Sequence, residues 1–286
     1  MKKQKRIPGI RIALFLCIVS LAGILAGCSS NSGTNSHTGN EASEQKVQIV
    51  TTLFPQYDFA RQVAGDHAEI QLLLPLETDS HSYEPTPADI VAIQEADLFI
   101  YTGEYMEGWA NTILESLDQS ELTVVDVSQG IPLDEEEGHD GHDHAEGAAH
   151  SYDPHIWTNP VYAKTMVQTI TDALCRVDPD NQADYEQNAQ TYQEELSALD
   201  EEIREVVATS ERKTAFFGSR FALHYFFKEY GLEHVSAYDN CSTEGEPSVA
   251  VMSDMIAQMQ EQSIPVVYYA ELEDPKIART IQEETG

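Results

Sequence analysis

The sequence predicts an α/β fold in which two small lobes, each with a mostly parallel sheet, are joined by one long backbone helix. Short apolar runs alternate with helical patterns, one long amphipathic segment interrupts this alternation, and the alternation then resumes. The 286 residues are 41% hydrophobic, which is enough for packed cores. A ligand is expected in the cleft between the lobes, because ligands of such sheets bind beyond the carboxyl ends of the strands.

The N-terminal lobe is predicted over residues 46–178. Pro55 ends its first apolar run and Gly65 closes its first helix, as expected of residues that interrupt regular structure. A proline at the first turn favours the helix that begins at residue 87. Strands are expected at 47–54, 68–74, 97–102 and 123–127, and helices at 56–64, 87–95, 107–117 and 160–177.

The linking helix is predicted over residues 179–210, where apolar residues alternate steps of four and three for about six turns. Its stripe consists of Tyr185, Ala189, Tyr192, Leu196, Leu199, Ile203 and Val206. Alone, this pattern would also suit a coiled coil, but its place between two α/β halves favours a single spanning helix.

The C-terminal lobe is predicted over residues 211–286. A further strand is expected after Gly286, so this lobe is predicted to be incomplete. Strands are expected at 213–218, 233–238 and 264–269, and helices at 221–230, 248–262 and 275–285.

The amino terminus has the order of a secretory signal. Residues 2–11 are basic, residues 12–24 are apolar, and Leu25-Ala26-Gly27-Cys28 follows. Small residues that end on a cysteine resemble a bacterial lipobox, so residues 1–27 are predicted to be a signal peptide and Cys28 to be lipidated. Residues 28–45 are rich in Ser, Gly and Asn and are predicted to form a flexible tether. The protein is therefore expected outside the cytoplasm, anchored to the bacterial cell membrane.

The charge balance restricts the partners. The chain has 49 acidic and 16 basic residues, a formal net charge of −33. Nucleic acid is excluded as a partner, because phosphate binding needs a basic surface. A self-repelling monomer that attracts metal cations is expected instead.

Cys175 and Cys241 lie far apart in sequence, and whether they pair is left open.

Histidines are the strongest chemical signal. His139, His142, His144 and His150 stand among carboxylates in an acidic, Gly-rich loop at 134–150. Neutral imidazole is a good Zn²⁺ ligand, so this loop is predicted to collect metal weakly at several positions.

Two further histidines are candidates for a defined metal site. His81 lies in DSHSYEPTPAD and His155 in DPHIWTNP. Each stands in a loop fixed by proline, beside an acid and just before a helix, at the edge of the sheet that usually carries ligands.

These motifs resemble the zinc/manganese-type solute-binding lipoproteins of metal ABC transporters. The resemblance rests on the lipobox, HSYEPTPAD, the His/Asp tract, DPHIWTNP, the long helix and YFFKEYGL, in this order. It implies two α/β lobes joined by a backbone helix, with the metal between them. It also implies that His81 and His155 are the first two metal ligands, and that the His tract is the insertion of zinc-type members.

The sequence departs from the family pattern at the third ligand. The family places His or Glu five residues before the Tyr that is Tyr225 here, and this chain has Arg220 at that position. Arginine cannot ligate a metal, since it carries no lone pair at ordinary pH. His224 on the same helix face is the candidate substitute, and Glu244 is a candidate ligand. Glu244 and Glu246 are also candidates for pairing with Arg220, and the family's fourth ligand, a carboxylate, is expected beyond Gly286.

The resemblance favours capture of Zn²⁺ outside the cell and delivery to an ABC permease. Manganese is the closest rival cargo, since Mn²⁺ suits sites with more oxygen ligands. A surface adhesin with a structural metal is a second alternative. An enzyme is not expected: His81-x-x-Glu84 has the spacing of some zinc carboxypeptidases, but Pro85 follows directly and the sequence has no HExxH, G-x-S-x-G or P-loop motif.

Overall fold

Four parallel strands form the sheet of the N-terminal lobe in the computed structural model, which describes residues 46–75, 78–135, 152–238 and 247–286. The strands are β1 (Val47–Thr51), β2 (Ala68–Leu72), β3 (Leu98–Tyr101) and β4 (Thr123–Asp126). The strand order is β2-β1-β3-β4. In the register, Ile49 lies opposite Ile70 on one side and Leu98 on the other.

Helices cover both faces of this sheet. The helices are α1 (Phe54–Ala64), α2 (Pro87–Gln94), α3 (Ala110–Leu114) and α4 (Pro160–Val177). Alternate strand residues point to opposite faces. Ile49 and Leu98 therefore share a buried cluster with residues of α1 and α4, whereas Val50 and Phe99 share another with residues of α2 and α3. A mostly parallel α/β sheet was the prediction for this lobe, and it is confirmed; the sheet is buried on both faces.

The predicted helix at 107–117 is wrong in extent, since only Ala110–Leu114 are helical. Glu107 lies in the loop before this helix, where its buried carboxylate accepts hydrogen bonds from the backbone N–H groups of Thr102 and Gly103. Residues 102–107 therefore form a tight loop, and the helix begins after it.

The long helix α5 (Gln182–Thr209) has 28 residues, about 42 Å at 1.5 Å per residue. It packs against α1 and α4 and also contacts the C-terminal lobe. The first part of the predicted stripe is buried at Tyr185, Ala189 and Leu196, but Leu199 and Val206 are 45% and 59% exposed. The stripe is thus a packing surface mainly where the helix lies on the N-terminal lobe.

The C-terminal lobe has a smaller parallel sheet, β5 (Thr214–Phe217) paired with β6 (Glu233–Ser236). Its helices are α6 (His224–Tyr230), α7 (Val249–Glu261) and α8 (Lys276–Thr285). Helix α6 starts later than predicted, and Phe221 instead stacks on His234 with ring centroids 3.6 Å apart. Helix α8 packs closely on Gly218, where an added Cβ would lie 2.7 Å from the Cα of Ala278.

The predicted strand at 264–269 does not form. This segment pairs with β5 at a single bridge between Phe217 and Tyr268. The N–H of Tyr268 bonds the carbonyl of Phe216 at 2.7 Å, and the N–H of Gly218 bonds the carbonyl of Tyr268 at 2.8 Å. By contrast, the N–H of Ile264 donates to the carbonyl of Met259 in α7 at 2.9 Å, so the start of the segment bonds to that helix instead of β5.

In the described part of the chain, no helix is both long enough and apolar enough to cross a bilayer. The predicted signal peptide, Cys28 and the tether lie outside the described residues.

Candidate metal site

His81 lies in the loop that follows β2, within a short 3₁₀ turn (Ser80–Ser82). The carboxylate of Asp79 caps this turn, as its Oδ1 accepts the N–H of His81 at 3.0 Å. Partial burial opposes ionisation of Asp79, but this bond and the nearby Arg220 outweigh it and lower its pKa. The turn therefore holds the His81 backbone in place beside a charged carboxylate.

His155 lies in the loop that leads into α4 and is almost fully buried, with 4% exposure. Asp153 Oδ1 accepts both the backbone N–H of His155, at 2.8 Å, and a hydrogen bond with its Nδ1, at 2.9 Å. Burial of Asp153 opposes ionisation, yet its hydrogen bonds with His155 lower the pKa of the carboxyl group. A carboxylate on Nδ1 assigns the proton to that nitrogen and leaves the lone pair on Nε2, as in many metal-ligating histidines.

The two imidazoles converge. Nε2 of His81 lies 3.1 Å from Nε2 of His155, and the ring centroids are 5.1 Å apart. Two Zn–N bonds of about 2.05 Å at a tetrahedral angle place their nitrogens about 3.3 Å apart. A slight separation of the rings therefore gives a tetrahedral metal two of its ligands, and the chemistry of the donors suits Zn²⁺.

The strand ends beneath these loops are fixed by Glu107, which is 3% exposed. Its carboxylate accepts hydrogen bonds from Thr52 Oγ1 at 2.5 Å, Thr102 N at 3.0 Å and Gly103 N at 3.1 Å. Burial raises the pKa of Glu107 to about 7, although these bonds favour the ionised form. The carboxylate thus ties the end of β1 to the end of β3, at the edge of the sheet where the histidine loops begin.

Arg220 forms an ion pair with a carboxylate on each lobe. Its Nη2 lies 3.2 Å from Asp79 Oδ2 on the N-terminal lobe, and its Nε lies 3.0 Å from Glu273 Oε1 on the C-terminal lobe. The backbone N–H of Arg220 also donates to Glu273 Oε2 at 3.2 Å. The position at which the family resemblance implies a ligand is therefore occupied by a cation with anionic partners.

His224, the predicted substitute ligand, contacts a different carboxylate. Its Nε2 lies 2.9 Å from Asp134 Oδ2, and Lys228 Nζ also contacts both oxygens of Asp134. The structure does not bring His224 into the hydrogen-bonded pair of His81 and His155. Within the described ranges, no group of three or more His, Cys, Asp or Glu side chains is arranged to hold a metal ion.

The segment that carries the His tract is fixed at both ends. Glu135 and Tyr152 form an antiparallel bridge, and the N–H of Asp153 donates to the carbonyl of Asp134 at 3.0 Å. The hydroxyl of Tyr225 donates to the carbonyl of Asp153 at 2.7 Å and accepts the N–H of Asp134 at 3.0 Å. The two residues that flank the tract, Glu135 and Tyr152, are therefore held together directly before Asp153, the partner of His155.

Five of the predicted site residues lie outside the described residues: His139, His142, His144, His150 and Glu244. The roles of Asp79 and Glu273 toward Arg220 were missed. The acid beside each loop histidine was a usable signal for Asp79 and Asp153, whereas Glu273 becomes a partner only through the fold, 53 residues after Arg220.

A two-lobed α/β fold with a converging histidine pair on one lobe defines the class of metal-binding solute-binding proteins. The family described as zinc-uptake complex component A, periplasmic, matches residues 49–286. The chain belongs to this family, which confirms the resemblance inferred from the motifs.

Two characterised relatives are similar over nearly the whole chain. The high-affinity zinc uptake system protein ZnuA of Bacillus subtilis is 36% identical over 274 residues, 95% of this chain and 85% of that protein. The zinc-binding lipoprotein AdcA of Streptococcus pneumoniae serotype 4 is 34% identical over 277 residues, 95% of this chain and 53% of AdcA. The chain therefore spans about half the length of AdcA.

Solved structures agree with the fold. The Zn(II)-bound ZnuA-like domain of S. pneumoniae AdcA is 31% identical, covers 85% of each chain and superposes with a TM-score of 0.70. The laminin-binding protein Lmb of Streptococcus agalactiae, described as bifunctional with adhesin and metal transporting activity, is 28% identical, with a TM-score of 0.72 and coverage of 84% of this chain and 86% of that one. The predicted two-lobe α/β fold is confirmed.

Proposed function

We propose that this protein captures Zn²⁺ outside the cytoplasm and delivers it to an ABC permease for uptake. The observation that carries the proposal is the 3.1 Å approach of the Nε2 atoms of His81 and His155, with Asp153 on the Nδ1 of His155. Two neutral imidazoles favour Zn²⁺ over Mg²⁺ and Ca²⁺, which prefer oxygen ligands, and over Mn²⁺ to a lesser degree. Membership of the zinc-uptake component A family supports the same cargo.

The rest of the proposal follows from the sequence. Cys28 carries a lipid that anchors the chain to the outer face of the cell membrane, residues 28–45 act as a tether, and the protein works as a monomer without a catalytic step. His139, His142, His144 and His150 collect zinc weakly, and His81 and His155 hold it tightly. Tyr152, which follows this tract, is bridged to Glu135 and directly precedes Asp153, the partner of His155.

The first test is a competition titration of the purified protein with Zn²⁺ and a chelator of known affinity. His81→Ala and His155→Ala should each lower zinc affinity by orders of magnitude. His67→Ala is the matched control, because His67 lies directly before β2 and pairs with Asp184 of α5. Unchanged affinity in both site variants would contradict the proposed site.

The second test separates the collecting tract from the tight site. Residues 136–151 are replaced with Asn-Gly, which forms the two-residue turn that an antiparallel pair prefers, so Glu135 and Tyr152 keep their bridge. The tight site should survive and the weak additional sites should disappear. Loss of the tight site would show that the tract itself supplies ligands to it.

A parallel titration with Mn²⁺ distinguishes the rival cargo. Weak manganese binding beside tight zinc binding supports zinc delivery, whereas equal affinities would favour a manganese-delivering member. An adhesin with a structural metal is the remaining alternative, which the likeness to Lmb brings into consideration. Binding to a host matrix by a protein that does not restore metal uptake to a deficient strain would point to it.

A further inference from the structure

On the basis of the proposed function, we propose that the positive charge of Arg220 acts as a counter-charge that lowers the zinc affinity of the His81–His155 pair. Its guanidinium forms ion pairs with Asp79 on the N-terminal lobe and with Glu273 on the C-terminal lobe. Arg220 stands in the turn after β5, on the C-terminal lobe. Asp79 belongs to the loop of the N-terminal lobe that carries His81. The guanidinium therefore reaches the ligand loop of the opposite lobe.

The connection from Arg220 to the metal site passes through one carboxylate. Asp79 Oδ2 lies 3.2 Å from the guanidinium, and Asp79 Oδ1 accepts the backbone N–H of His81 at 3.0 Å. The Arg220 side chain is only 25% exposed and that of Glu273 only 18%, so solvent screens these charges incompletely. A cation bound between His81 and His155 is repelled by the fixed positive charge of Arg220.

Arg220 also partly neutralises two carboxylates, those of Asp79 and Glu273. Its Nε and backbone N–H both bond Glu273, at 3.0 and 3.2 Å. A carboxylate held in this way attracts a second cation less strongly than a free one, because much of its charge is already neutralised. Since arginine keeps its proton at any physiological pH, the effect is permanent and does not depend on titration. The consequence is a site that holds zinc less tightly and gives it up more easily, as delivery to a permease requires.

The test is Arg220→Gln, read by two measurements on the purified protein. Zinc affinity, by chelator competition, should rise about tenfold or more once the repelling charge is gone. The melting temperature of the metal-free protein should fall by a few degrees, since the interlobe ion pairs are lost. A residue that only holds the fold together would lower both stability and affinity, so the opposite directions are diagnostic.

Two further variants test whether the positive charge of Arg220 is the cause of the change in zinc affinity. Arg220→Lys keeps the charge without the planar fork and should bind zinc like the unaltered protein; tenfold tighter binding in this variant would overturn the role of charge. Arg204→Gln is the matched control, because Arg204 also pairs with two carboxylates, Asp200 and Glu229, and its zinc affinity should not change.

The outcomes separate this inference from the proposed function. If His81→Ala abolishes tight zinc binding while Arg220→Gln leaves it unchanged or weakens it, the counter-charge role is refuted and zinc binding stands. If His81→Ala and His155→Ala leave tight binding intact, the proposed site itself fails, and the inference fails with it. The affinity difference between Arg220→Gln and the unaltered protein should also shrink at high salt, because added ions screen the repulsion.

Discussion

Replacing Glu107 with glutamine should change how stability depends on pH. The folded state raises the pKa of this carboxyl from 4.5 to about 7. Below pH 4.5 the group is protonated in both the folded and the unfolded chain and has no effect on the pH dependence. As the pH rises toward 7, the unfolded chain releases the proton while the folded one keeps it, so stability falls.

The size of the effect follows from the shift. Each pKa unit corresponds to about 1.4 kcal/mol, so Glu107 should cost the folded state about 3 kcal/mol between pH 4.5 and pH 7. Glutamine has nearly the same shape and no charge. Its Oε1 can accept the N–H groups of Thr102 and Gly103, and its Nε2 can donate to the hydroxyl of Thr52. The free energy of unfolding of Glu107→Gln, relative to the unaltered protein, should therefore rise by about 3 kcal/mol over this range.

Urea unfolding of the metal-free protein at several pH values between 4.5 and 7.5, followed by tryptophan fluorescence, measures this difference. Trp109 and Trp157 are the two reporters. Glu104→Gln, an exposed carboxylate on the same loop, is the control and should give a flat difference. A flat difference for Glu107→Gln as well would refute the argument, because it would mean that the buried carboxyl keeps the same pKa in both states.

Three other substitutions test the site and the packing. Asp153→Asn should weaken zinc binding by about 10–100-fold in a chelator competition, because the ring of His155 loses its charged partner. Tyr225→Phe should lower the free energy of unfolding in urea by about 1–3 kcal/mol, because it removes a buried hydroxyl that both donates and accepts a hydrogen bond. Gly218→Ala should destabilise the protein by about 1–3 kcal/mol in thermal unfolding, since its Cβ would lie 2.7 Å from the Cα of Ala278.

Each of these has a control of the same chemistry. Asp58→Asn removes a carboxylate on α1 and should leave zinc affinity unchanged. Tyr57→Phe alters a half-buried tyrosine on α1 and should cost little. Gly108→Ala places a Cβ 3.7 Å from its nearest neighbour, an ordinary contact, and should be tolerated. If a variant and its control had equal effects, the physical reason given for that variant would be wrong.

Sequence periodicity was sufficient for most of the fold because most elements bury a regular apolar pattern. Helix α4 was predicted at residues 160–177 and found there, with Asn159 as its N-cap and Pro160 at its first position. The segment 264–269 is apolar enough for a strand, yet it pairs only near Tyr268. Apolar content predicts burial or pairing capacity, whereas the number of ladder bonds depends on backbone donors and neighbouring strands.

The site was predictable only where its chemistry is local. His81 and His155 each stand beside the acid that orients them, so short motifs were informative. The pairing of Arg220 with Asp79 and Glu273 joins residues 141 and 53 positions apart, and no local pattern signals it. Ligation of a metal by His224 and Glu244 remains a prediction.

Both histidines of the pair belong to the N-terminal lobe, so the two lobes should affect different rate constants of zinc binding. Under the proposed function, the N-terminal lobe alone supplies both imidazoles that meet an arriving cation. The association rate is then set by the access to His81 and His155 and by attraction to the acidic chain. Residues of the C-terminal lobe, Arg220 among them, act after this encounter and control the residence time. Changes in that lobe should therefore appear mainly in the dissociation rate.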